Sequence, residues 1–176
     1  MKEEIKKLRE LTGLGISDCK KALEEASGDL DKALDILKKR GAQILEKKSS
    51  RIAHQGVIDS YIHFSQELGA MVEVNCETDF VARTEDFRKF VKDIALHIAA
   101  SSPKYINREE VPSEILEGLT EEEKEEYFKK NCLLEQPFIK DESLTIKDYL
   151  NSLGAKVGEK VVIRRFVRFS LREDED

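Results

Sequence analysis

A chain of 176 residues, 40% hydrophobic and 38% charged, has apolar content for one ordinary core, with or without a small satellite. Its net charge of −6 argues against general affinity for nucleic acid or an anionic membrane, and no apolar run approaches the ~18 residues of a membrane span. The charged N-terminal stretch MKEEIKKLRELTG has no apolar signal core, and Cys19, Cys76 and Cys132 offer neither metal-ligand spacing nor a disulfide set, so the expected compartment is a reducing cytoplasm.

Residues 1 to 41 read as a head of three short helices. Ile5, Leu8 and Leu11 follow helical spacing. Thr12-Gly13-Leu14-Gly15 breaks it, with glycine suited to reversing the chain. Ser17 can cap a second helix that buries Cys19, Ala22, Leu23 and Ala26. Gly28 stops that helix and Asp29 can cap a third. Leu30, Ala33, Leu34 and Leu37 then keep the helical period up to Gly41, placed as its stop. About forty residues with so few large apolar groups make a marginal unit alone, of the kind that offers a surface to a partner.

Residues 42 to 55, with Lys47, Lys48 and Arg51, read as a solvated and partly helical linker. From Gly56 the body begins, and the period changes to two. Ile58, Ser60, Ile62 and Phe64 alternate with Val57, Asp59, Tyr61 and His63, and after Gln66-Glu67-Leu68-Gly69 the alternation resumes with Val72, Val74 and Cys76. Two such runs across a short glycine-containing break predict an antiparallel hairpin. The second strand delivers the chain to Thr78-Asp79-Phe80, an acid and a large aromatic on a corner before the next helix. From pattern alone two readings stand. Asp79 caps a turn while Phe80 fills the core, or the pair projects from a rigid base as a binding corner.

Thr84 can cap the next helix, whose buried stripe is Phe87, Phe90, Val91, Ile94 and Ile98. His97 falls at the edge of this stripe, either a satisfied structural residue or a functional one. The polar stretch 104–131 predicts a short helix at Pro112-Ser113 and another opened by a capping box at Thr120 and Glu123. Its acidic run Glu121 to Glu126 reads as a solvated helix face. Pro137 argues against a central strand. Ser143 can cap a helix carrying Ile146, Tyr149, Leu150 and Leu153, with Gly154 ending it. In the last strand Val161, Ile163, Val167, Phe169 and Leu171 are expected on one face, interrupted by Arg165, and Arg164, Arg168 and Arg172 on the other. Residues 173–176 are expected to fray. The fold class is therefore α+β. A three-helix head (1–41) and a linker (42–55) precede a helix-covered, three-stranded antiparallel sheet (56–176).

Catalytic sets do not assemble. His54, His63 and His97 occupy different elements, and none has ligand spacing to a cysteine. Cys76 alternates with Val72 and Val74 and so points into the core, where a thiol behaves as a small apolar group. Gly13-Leu14-Gly15 lacks the further glycine of a dinucleotide turn and the Lys-Ser/Thr of a phosphate loop. No catalytic residue, metal or cofactor is expected, and a binding protein remains.

Two stretches carry a specific resemblance. Thr12-Gly13-Leu14-Gly15-Ile16-Ser17-Asp18-Cys19-Lys20-Lys21-Ala22-Leu23 resembles the N-terminal signature of the translation elongation factor Ts family, and Val74-Asn75-Cys76-Glu77-Thr78-Asp79-Phe80-Val81-Ala82-Arg83 resembles its second signature. His97-Ile98-Ala99-Ala100-Ser101, Leu134-Glu135-Gln136-Pro137-Phe138 and Ile163-Arg164-Arg165-Phe166 are similar to further family segments, in order and over nearly the whole chain. The resemblance implies a nucleotide exchange factor for elongation factor Tu, with a head similar to ubiquitin-associated domains. It implies that the head packs on the GTPase through the helix-turn from Gly13 to Asp18, with Gly13, Leu14, Gly15, Ile16 and Lys21 as the residues expected at the contact. Asp79 and Phe80, flanked by Thr78 and Val81, would insert beside the magnesium and phosphate site, and His97 would lie in the interface region. Only one copy of the family's core half-domain is present, which implies a homodimer, and the segment 112–132 is shorter than usual.

Overall fold

The protein, described here from a computed structural model, is defined over residues 2–47 and 50–171. Three helices open it: α1 (Lys2–Thr12), α2 (Ile16–Glu25) and α3 (Leu30–Lys47). They enclose a small core of Leu8, Leu14, Cys19, Ala22, Leu23, Ala26, Ala33 and Leu37. Ile5 packs at its edge, but Leu11, expected in the same stripe, is exposed. Asp29 caps α3 as expected, its Oδ1 accepting the N–H groups of Asp31 and Lys32. Ser17 does not cap α2; the cap position is Gly15. Gly41 does not stop α3 either, and the helix runs on into the expected linker. Gly41 is buried, and a Cβ there would lie 3.8 Å from Ala155 Cβ, so packing against the body outweighs glycine's poor helix propensity.

The body is built on a sheet of order β1-β2-β5, all antiparallel, from β1 (Gln55–Ile62), β2 (Leu68–Cys76) and β5 (Val162–Ser170). Between β2 and β5 the chain forms the one-turn helix α4 (Asp79–Ala82), α5 (Glu85–Ser101), α6 (Ser113–Leu116) and α7 (Glu121–Asn131). The pair β3 (Pro137–Phe138) and β4 (Asp141–Thr145), absent from the sequence reading, follows, and then α8 (Ile146–Val157). Thr84 caps α5 by accepting the Phe87 N–H at 3.3 Å, and Thr120 with Glu123 forms the expected capping box. The stripe Phe87, Phe90, Val91, Ile94 and Ile98 is fully buried with Val72, Val74 and Cys76 of β2. Each large side chain so buried contributes roughly 1.5–3 kcal/mol. Asp93, the one buried acid of α5, is matched by Lys140 Nζ at 2.6 Å and the Tyr149 hydroxyl at 3.0 Å.

Two expectations for the C-terminal part change. Helix α8 is capped by Thr145 and Asp148 rather than Ser143, which lies in β4. It passes through the buried Gly154 to end on Gly158, whose φ of 70° is the left-handed conformation glycine accepts most readily. The pairing of β2 with β5 shifts register between Glu73 and Val74: Glu73 faces Arg165, Val74 faces Ile163, and Arg164 is the extra residue. A bulge of this kind exchanges the two faces beyond it. Val161 and Ile163 therefore belong to the core, half-buried Phe166 packs against it, and Arg168, also half-buried, lies on the same side of the sheet, while Val167, Phe169 and Leu171 are exposed. Arg168 Nε donates to the Ala99 carbonyl at 3.0 Å, so it turns toward α5 rather than solvent. Arg172 and residues 173–176 lie outside the described residues, as does Lys48.

Among the described residues, no helix is long and apolar enough to cross a membrane. The segment 104–131 is tied to the body through Arg108. Its guanidinium pairs with Glu125 and with Glu135 (2.9 Å) and lies 4.8 Å over the Phe128 ring.

Candidate functional site

The corner after β2 is short and sharply defined. Thr78 has extended backbone (φ −126°, ψ 154°), and its hydroxyl accepts the Val81 N–H at 3.4 Å. It thereby acts as the N-cap of the one-turn α4. Asp79 takes the first position of that turn and pairs with Arg83 at 2.9 Å. That pair is largely solvated and worth little to stability. Val81 packs on the main core and Ala82 is buried, so the turn is seated from below. Phe80 faces the other way and is 79% exposed. The packing reading of Phe80 is thus set aside: a large aromatic projects into solvent from a helix turn with a buried underside.

Charged groups from distant parts of the chain brace this corner. One Glu159 oxygen accepts the N–H groups of Glu77 (3.1 Å) and Thr78 (3.0 Å), and the other accepts the Thr78 hydroxyl at 2.6 Å. Glu77 in turn accepts the Lys160 N–H at 2.6 Å and pairs with Arg51 at 3.1 Å. Arg51, expected as part of a solvated linker, instead joins that linker to the corner. The Cys76 thiol donates to the Thr78 carbonyl at 3.1 Å, and burial, helped by the Glu159 charge, pushes its pKa up to about 11. A thiol held protonated in this way is a structural donor and a poor nucleophile.

In the head, Gly13 has φ 69°, and a Cβ there would meet the Lys156 side chain at 2.8 Å. The turn Gly13-Leu14-Gly15 therefore sits against α8 with glycine required on two grounds. Leu14 is buried in the head core, whereas Ile16 and Lys21 are exposed on α2. The partner-binding residues expected from sequence thus fall in three places. Thr78 to Val81 form one corner, Gly13 to Ile16 and Lys21 a second patch on the head, and His97 is apart from both.

His97 is fully buried. Its Nδ1 accepts the Ile139 N–H at 3.3 Å, so its Nε2 carries the proton and donates to Gln136 Oε1 at 3.0 Å. Gln136 completes the network by donating to the carbonyls of Ser101 and Lys130. Both ring nitrogens are used inside the protein, so any bearing of His97 on a partner would be through the position of this β3 segment. Burial holds its pKa below the ordinary 6.5, partly opposed by the Gln136 bond. The unfolded chain then binds a proton that the folded chain refuses. The associated stability is present above pH 6.5 and is lost as pH falls from 6.5 toward the depressed value. Thermal unfolding followed from pH 7.5 to 5 should show a slope in this window of at most about 1.4 kcal/mol per pH unit from this group. His97→Gln should flatten that slope whatever its effect on absolute stability.

Two residues that organise these sites had no local signal. Glu159 lies in a polar turn after α8, and Gln136 in an irregular apolar stretch; their roles come from partners far along the chain. Among the described residues, no group of three or more His, Cys, Asp or Glu side chains could hold a metal ion.

A family model described as elongation factor TS matches residues 2–127 and 115–173 of the chain. The chain is 48% identical over 192 residues to elongation factor Ts of Thermoanaerobacter sp. (strain X514), covering 97% of this chain and 94% of that protein. It is 50% identical to elongation factor Ts of Acetivibrio thermocellus, covering 97% and 89%, and 47% identical to that of Carboxydothermus hydrogenoformans, covering 96% and 88%.

Proposed function

The chain belongs to the elongation factor Ts family, with a role in translation elongation, and from that premise we propose that it is the guanine nucleotide exchange factor for elongation factor Tu, acting in the cytoplasm through the Asp79-Phe80 corner. The observation that carries the reading is the exposure of Phe80 on a turn whose other side is buried. Exchange needs no bond chemistry. A partner that binds the nucleotide-free GTPase better than the loaded form speeds nucleotide release, and by linkage the nucleotide weakens the partner equally. A rigid aromatic wedge suits this task. Burying its ring between helices of the GTPase supplies a few kcal/mol toward disturbing the magnesium and phosphate contacts. Asp79, beside it, is the polar companion.

The head is read as a ubiquitin-associated-like docking module that holds the GTPase through Gly13 to Ile16, with Lys21 at its margin. Fluorescent GDP released from elongation factor Tu should leave faster when the protein is added; an unchanged release rate overturns the assignment.

A homodimer is part of the same proposal. The sheet is covered on one side by α5, while its other face carries Ile58, Ile62, Met71, Val167, Phe169 and Leu171, all exposed. A contiguous apolar sheet face is a contact surface rather than a finished exterior. A two-fold pairing of this face would supply the second half of a sandwich from a chain with a single core copy.

A further inference from the structure

We propose that Glu159 is the positioning residue of the exchange corner: its carboxylate fixes the backbone from which Phe80 projects. This rests on the exchange reading for its functional half, but the clamp itself is a property of the free protein. Val81 and Ala82 seat the turn on the core and the Cys76 thiol donates to the Thr78 carbonyl, but the other polar contacts of the turn itself are weak. Helix α4 has four residues, its hydroxyl cap is long at 3.4 Å, and the Asp79–Arg83 pair is solvated. Against this, Glu159 is half-buried and spends both oxygens on residues 77 and 78. It comes from the α8–β5 connection, 81 positions from Thr78. Lys160, the next residue, donates its N–H to Glu77 and its Nζ to the Arg51 carbonyl. The α8–β5 turn and the corner are therefore laced together in both directions. The turn is rooted in two rigid elements, and it passes that rigidity to the corner.

The distribution of the bonds predicts which substitutions matter. A single oxygen of Glu159 serves both backbone N–H groups. Glutamine keeps that oxygen, and its amide can donate to the Thr78 hydroxyl in place of the bond now accepted from it. Glu159→Gln should therefore preserve the corner, while Glu159→Ala frees it. A corner that spends about a tenth of its time correctly oriented loses about tenfold in apparent affinity, and once bound it acts as before.

Two measurements test this. In the free protein, amide hydrogen exchange at Glu77 and Thr78 should accelerate about tenfold or more in E159A and stay near the wild-type rate in E159Q, with both variants unfolding cooperatively. In stimulated GDP release, E159A should raise the half-saturating concentration about tenfold and leave the maximal rate unchanged, with E159Q restoring the wild-type value. Unchanged amide exchange in E159A overturns the clamp whatever the exchange activity. A lowered maximal rate not restored by E159Q overturns the positioning role in favour of a general loss of structure. Failure of the unsubstituted protein to stimulate release overturns the exchange reading, and with it the functional half of this proposal. Active wild-type protein with an unaltered E159A half-saturation overturns the positioning role alone.

Discussion

Phe80→Ala should lower stimulated GDP release from elongation factor Tu by roughly thirtyfold or more, corresponding to about 2 kcal/mol of lost interaction, without changing the unfolding midpoint of the protein itself. The two halves of this expectation come from the same fact. The ring is 79% exposed, so its removal opens no cavity in the protein, and exposed substitutions away from caps and cores stay within about 0.5 kcal/mol. A partner that buries the ring loses its full contact when the ring is cut away. Only interactions stronger with the nucleotide-free GTPase drive exchange, so a wedge residue should affect the maximal rate. That signature differs from the one expected of Glu159→Ala, which acts on half-saturation. Fluorescent GDP release over a range of exchange-factor concentrations, read beside a thermal melt, separates the cases. Full activity in F80A would remove the corner from the mechanism and leave the head as the contact that matters.

The parts of this molecule that were readable from sequence are those whose causes are local. Thr84 and Thr120 cap helices because a hydroxyl three residues ahead of an N–H can reach it without help from distant residues, although the same signal misplaces the caps of α2 and α8 at Ser17 and Ser143. The stripe from Phe87 to Ile98 was readable because a helix that buries one face must repeat its apolar side chains. Gly41 and Gly154 do not end their helices because glycine's helix propensity is a weak preference that tertiary packing overrides; both are buried, inside α3 and α8. The faces of β5 misled because alternation assumes unbroken register, and one extra residue at Arg164 reverses the assignment of everything after it. Phe80 could not be placed by pattern at all. An aromatic after a strand is compatible with core and with surface, and only the packing of Val81 on the core and the burial of Ala82 decide which side of the turn it takes. The clamp from Glu159 lay wholly out of reach, since nothing in a Gly-Glu-Lys turn indicates which distant amides its carboxylate will accept.

The reversed faces of β5 carry the second large prediction. In register, Val167 sits beside Met71 of β2, and Phe169 beside Gly69, over which the Ile62 side chain lies so closely that a Cβ would meet its Cδ1 at 2.5 Å. The glycine lets Ile62 lie flat, making a low apolar surface that runs across all three strands, bordered at one end by the Glu73–Arg165 ion pair at 2.7 Å. Met71 lies mid-face on the central strand. If two copies pair through this face, the protein should have twice the 20.2 kDa mass of one chain at micromolar concentration. Met71→Asp should then leave it monomeric, because each two-fold pair would bury two unpaired carboxylates at about 3 kcal/mol or more apiece, over a hundredfold in dissociation constant for each. The substitution points away from the α5 core, so the far-ultraviolet circular dichroism of the monomer should match that of the parent. Molar mass from light scattering decides the matter: a parent protein that is already a monomer overturns the homodimer and leaves the same face for a different partner, whereas a dimer that survives M71D places the contact elsewhere on the chain. A monomeric M71D with an intact corner would also show whether one Phe80 suffices for exchange, because Phe80 and the sheet's apolar face lie on different elements and the substitution leaves α4 untouched.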